Sequence, residues 1–361
     1  MTLERLAIVF AALAAVAVTV PAAVYAETIV YVDKYGRTKH VDTTDPDAWR
    51  PTPKADVHTI TGTTIDFTVL YRDETENTGF GFDDPDEGAA RRLIVEEVIR
   101  YVDSVLSHAG VCHIEFEESV NEGSTPLATA SSYFVQTPAY HQTSAWHSII
   151  EGSSPITDQP DILIEVDFGF NWHADLSDPP GNEHDLFTVI LHEITHGLGV
   201  LSLSDQDGDS RIDDGVYTEW NRRIITGNAN LCWHPTDPQF IGEPSYLIGQ
   251  DNGLRLDGES SEAAFGALPP LYAPSTFSVG SSLSHFDQGI AGGSVMEPFI
   301  SSGTAYRAYT DIDLAALHDL GYSVVGLNGD DDDDDDDGNG PTGPYQPPAG
   351  APAFRVPFPE R

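Results

Sequence analysis

Residues 185–199 read DLFTVILHEITHGLG. At about 100° per residue, Phe187, Ile190, Leu191, Ile194 and Leu198 recur as one apolar stripe, which predicts a helix over 185–198 packed on a sheet. His192 and His196 stand one turn apart on roughly the opposite side, where both imidazoles can face one ion. Glu193 follows the first histidine and lies slightly off its face, within reach of a water held by that ion. Gly199 permits a sharp turn where the helix ends.

Outward from this segment, residues 161–168 (DILIEVDF) alternate strictly and predict a strand with Ile162, Ile164, Val166 and Phe168 on one side. Further strands are expected over 65–72 and 111–116, with a weaker one over 128–136. Residues 88–106 carry apolar positions at helical spacing. A last helix is expected over 311–320, with Thr310 and Asp313 placed as a capping box.

A catalytic zinc takes three protein ligands and leaves a position open. Three residues beyond Gly199 stands Ser202, a poor ligand. Asp205 is the nearest downstream carboxylate, and Glu219 is the candidate if a second helix supplies the ligand. His285 is the better candidate. It lies in Ser284-His285-Phe286-Asp287, a few residues before Met296-Glu297-Pro298. Met296 is one of two methionines in the chain, the other being Met1. An adaptable thioether suits packing beneath metal ligands.

His192, Glu193, His196 and Gly199 resemble the zinc helix of the metzincins, and Met296-Glu297-Pro298 resembles their Met-turn. The delayed His285 is similar to the leishmanolysin-like branch, where a long insertion precedes the third histidine. The likeness extends over residues 60–325, taking in the strand at 161–168 and the ending Leu317-His318-Asp319-Leu320-Gly321-Tyr322. It implies an α+β fold with a small mixed twisted sheet, a zinc-binding active-site helix and a loop-rich C-terminal subdomain. It also implies a zinc endopeptidase acting on protein or peptide substrates, with His192, His196 and His285 on zinc and Glu193 as general base. No tyrosine stands two residues after Met296, so an auxiliary fifth ligand is not assigned, and Tyr306 is a remote candidate. The strand at 161–168 or that at 128–136 could pair with an extended substrate. Two other readings stay open: a surface or matrix protein that keeps its metal for structure, and a thermolysin-like hydrolase with Glu219 as ligand.

Residues 205–213 (DQDGDSRID) resemble the start of a calcium loop, with Asp205, Asp207, Asp209 and Asp213 at alternating spacing. The glycine stands at position four rather than six, and Val216 holds the twelfth position in place of glutamate. The segment reads either as a Ca²⁺ site or as an acidic turn.

The whole chain has 361 residues, 17 Lys plus Arg against 58 Asp plus Glu, and a net charge of −41. Such a balance argues against nucleic acid and anionic lipid as partners. Residues 1–26 read as a secretory signal with cleavage before Glu27, so export without stable membrane insertion is expected. In an exported protein a single disulfide between Cys112 and Cys232 is favoured over the alternative of a thiolate that caps a metal in a latent precursor, and the sequence does not decide whether they are bridged. Residues 27–60 read as a propeptide or as a first strand. The expected organisation continues with a catalytic subdomain over 61–199 and a second subdomain over 200–325. Residues 326–361, with eight consecutive Asp from Asp330 to Asp337, form an acidic, Pro- and Gly-rich tail without packed structure.

Overall fold

The computed structural model describes the strands at 28–32 and 38–42 and residues 57–327, except 62, 74–76, 120–125, 136–139, 156–158 and 213–214. The expected signal segment, the Asp-rich tail and Asp213 lie outside the described residues.

The chain forms a mixed α+β fold built on a twisted seven-stranded sheet. Its strands are β1 (Thr28–Val32), β2 (Thr38–Asp42), β3 (Val57–Thr59), β4 (Asp66–Tyr71), β5 (Val111–Ser119), β6 (Ala128–Val135) and β7 (Ile162–Asp167), in the order β2-β1-β6-β7-β5-β4-β3. The inner strands β4, β5 and β7 run parallel, while β6 runs antiparallel to β7. Alternation decides the faces. Phe67, Val69, Ile114, Phe116, Ile162, Ile164 and Val166 are buried. They share one core with Ile94, Val95, Val98, Ile99 and Val102 of helix α1 (Gly88–Val105).

The expected strand at 161–168 is therefore β7, held between β5 and β6, and its backbone is fully paired on both sides. It has no edge to offer a substrate. The segment at 27–60 supplies three strands to the same sheet, β1 and β2 beside β6 and β3 beside β4. A short helix α2 (Ser144–Ile150) leads towards β7, and a two-stranded ladder of β8 (Trp172–His173) and β9 (His184–Asp185) leads into helix α3 (Leu186–Gly197).

Helix α3 carries His192, Glu193 and His196. Asp185 caps it, accepting the Thr188 N–H at 3.0 Å. The expected division into a packed face and an open face is only partly found. Every residue from Leu186 to Gly197 is buried except His196, which is partly exposed. Thr188 and Thr195 tolerate this because each is bonded, Thr188 to Asp185 and Thr195 to the Leu191 carbonyl. The helix lies close to the sheet at Gly197, where a Cβ would stand 2.6 Å from Ile162.

The remainder of the chain adds α4 (Glu219–Arg222), a small sheet of β10 (Ile224–Thr226), β11 (Leu254–Leu256) and β12 (Pro270–Leu271), then α5 (Glu259–Phe265) and α6 (Asp311–Asp319). The chain comes back on the first half through Arg307. Its guanidinium pairs with Asp185 and donates to the carbonyls of Asp175 and Ser177. Cys112 and Cys232 are buried free thiols, so the expected disulfide is not formed. Burial raises both thiols, Cys232 to about 12, and keeps them unreactive. No helix among the described residues is long and apolar enough to cross a membrane.

Asp185 joins the helix cap to the Arg307 clamp, and it is completely buried. Asp185→Ala is expected to lower stability by about 2 kcal/mol in denaturant unfolding, since it removes the carboxylate partner of the half-buried Arg307 and a helix cap. Asp185→Asn keeps the cap and is expected to lose less.

Candidate metal centre

His192 and His196 project from α3 into a cleft whose walls are β6, the segment 201–203, the loop around Ser281–His285 and the stretch Glu297–Ile300. His285 enters this cleft from 89 positions beyond His196. Its Nε2 lies 3.2 Å from His196 Nε2 and 3.2 Å from His192 Nε2. The three side chains form the one metal-competent cluster found among the described residues.

The protonation of each ring follows from its second nitrogen. His192 Nδ1 lies 2.7 Å from the Val295 carbonyl, His196 Nδ1 2.7 Å from the Val200 carbonyl, and His285 Nδ1 2.7 Å from the Ser281 carbonyl. A carbonyl oxygen only accepts, so each Nδ1 donates and each Nε2 of a neutral ring carries a lone pair. Three lone pairs then face one another with no proton between them. That arrangement suits a bound cation. Tetrahedral ligands 2.0–2.1 Å from a metal are about 3.3 Å apart, close to the observed spacing. The donor set therefore fits a divalent metal ion.

Burial lowers the pKa of all three rings. His192 falls to about 4 and His285 to about 3, the latter helped by His192, while His196 is pushed well down by burial and by both neighbours. The rings are neutral, metal-ready bases far into the acid range.

Glu193 is buried beside the triad on the cleft wall. Its carboxylate accepts the Ala130 N–H of β6, and burial raises its pKa to about 8. A dication among the histidines opposes that shift. Each histidine is placed by a different part of the chain. Gly199, with φ of +118°, turns the backbone so that the Val200 carbonyl comes back onto His196. Met296 is completely buried, and its carbonyl accepts the Phe286 N–H, tying the Met296 segment to the residue after His285. The neighbouring Val295 carbonyl holds His192.

Comparison with known proteins adds no further constraint: no family model, curated protein or solved structure matches this chain.

The other candidates from the sequence do not join the triad. Ser202 lines the cleft, but its hydroxyl is engaged by Asn221 and Ser204. Glu219 is engaged by Arg222 and Arg223 on its own helix, so it is no ligand. Tyr306 donates its backbone N–H to Thr188 and does not line the cleft. Asp205, Asp207 and Asp209 form a tight turn in which the Asp205 carboxylate accepts the Asp207 N–H. Asp207 and Asp209 point to solvent, and these three do not gather into a cation site. Gly208, with φ of +89°, is there because a Cβ would strike Phe240.

Sequence reasoning missed one supporting residue. Asp313 was expected only as a helix cap, and it does accept Thr310 N–H. It also accepts Ser294 Oγ and the Val295 N–H from the segment whose carbonyl holds His192. Its burial beneath that segment was the only signal, and burial is not written in local spacing.

Two outcomes follow from the geometry. His285→Ala is expected to cut bound metal sharply, measured as metal per protein by elemental mass spectrometry, whereas Glu219→Ala leaves it unchanged. In chelator-treated protein the folded pKa values lie below the ordinary 6.5, so below that pH the unfolded chain binds protons the fold refuses. The contribution of the rings is then fully present above about 6.5 and declines as pH falls towards 4, by up to about 1.4 kcal/mol per unit for each ring, while the raised Glu193 carboxyl works in the opposite direction over the same range and offsets about one ring. Thermal melts from pH 7.5 to 5 check this, and His285→Leu should flatten the slope.

Proposed function

We propose that this chain is an exported zinc-dependent peptidase of the metzincin type, leishmanolysin-like in the placing of its third histidine. The observation that carries the reading is the carboxyl group of Glu193, buried in the same cleft wall as three proton-free imidazole nitrogens. A site kept only for structure closes around its metal and has no use for a carboxylate held at an open position.

Zinc, when bound by His192, His196 and His285, supplies Lewis-acid activation of water and of a peptide carbonyl. Glu193 takes the proton of the attacking water and delivers it to the departing amine. The Ala130 N–H holds the Glu193 carboxylate at one place along β6. The three carbonyl partners keep the imidazoles in one tautomer and one orientation. The outer edge of β6 at Ala128–Ser132 lines the cleft and is open among the described residues, so a peptide can add to it in extended form.

Glu193→Gln is expected to retain metal and to lose peptide cleavage by at least about 10²-fold, the usual worth of a positioned base. Incubation of the zinc-loaded wild type and the variant with casein, with and without chelator, measures it. Equal cleavage by the two proteins would remove Glu193 from the mechanism. Zinc binding without any cleavage by the wild type would favour a structural metal.

A further inference from the structure

We propose that strand β1 closes the cleft on the N-terminal side of the scissile bond, so that the site favours peptides with about two residues before the bond cleaved. This rests on the peptidase reading and narrows it to cleavage near chain N-termini.

On the edge of β6 opposite β7, β1 pairs antiparallel with Tyr31 against Tyr133, Val30 against Phe134 and Ile29 against Val135. The same edge at Ala128–Ser132 forms the cleft wall. Strand β1 and an antiparallel substrate therefore share one line and one direction along β6. The last residue of β1, Val32, falls opposite Ser132 when the register is continued. Glu193 is tied to Ala130, so the reacting peptide bond lies level with that residue. A strand advances about 3.3 Å per residue, which leaves room for about two substrate residues between Ala130 and the end of β1. Because β1 reaches the site with its C-terminal end, the residues it displaces are those that precede the scissile bond. On the other side, towards Ala128, no strand occupies this edge among the described residues.

The test uses the zinc-loaded full chain and two series of quenched peptides around one cleavable bond. One series grows residue by residue on the N-terminal side and the other on the C-terminal side. The expected result is that kcat/KM is highest at about two N-terminal residues and falls on further N-terminal extension, while it continues to rise with C-terminal extension. Val30→Pro removes the backbone donor at the centre of the β1–β6 pairing. In that variant, longer N-terminal extensions are expected to gain, at about fivefold for each added pair of residues. Its activity on the shortest peptide is expected to match wild type, which reports intact folding. A wild-type rate that holds level or climbs through four or more N-terminal residues overturns the inference, as does a fall that Val30→Pro leaves in place. No cleavage of any peptide by the zinc-loaded protein overturns the peptidase reading, and this inference with it.

Discussion

Three imidazoles must point their lone pairs at one place, and each is held there by a single hydrogen bond from Nδ1 to a backbone carbonyl. Much of the surrounding structure serves those three carbonyls. Val200 is delivered by the turn at Gly199. Val295 is delivered by a segment pinned from below by Asp313. Ser281 belongs to the loop that carries His285 itself. A backbone carbonyl is a demanding partner, because it moves only when its whole segment moves. The rings are therefore oriented by the fold and not by flexible side chains, which keeps the metal-ligand geometry organised before any metal arrives.

Burial gives the centre its chemistry and also its cost. Removing three histidines and a glutamate from water keeps the imidazoles neutral and the carboxyl easily protonated. A cation reverses the balance, since it stabilises the carboxylate and satisfies the three lone pairs together. Binding of a metal and stability of the fold are thus coupled in this cleft.

Much of the scaffold was readable in advance because its signals are local. The alternation in 161–168 placed β7, and the apolar positions over 88–106 placed α1 to within a residue of its observed end at Val105. The turn at Gly199 follows from a short-range backbone need. Other readings failed where the answer lies at long range. The disulfide between Cys112 and Cys232 was inferred from compartment and count, which carry no geometry, and the thiols are separate. The pairing of β1 with β6 joins residues about a hundred positions apart, and a strand names no partner in its own sequence.

The sequence by itself determined that one helix would carry two imidazoles and a carboxyl at the spacing needed for a metal and a base. Helical periodicity is a property of neighbours, so His192, Glu193 and His196 could be assigned from their own segment. Only the tertiary structure decided that His285 completes the set, that Glu219 does not, and that one wall of the cleft is an open strand edge occupied at one end by the chain's own first strand. Those outcomes depend on which distant segments the sheet and the Arg307 and Asp313 contacts bring together. Contacts of that kind are selected by burial and hydrogen-bond satisfaction over the whole fold, and no local pattern of residues records them.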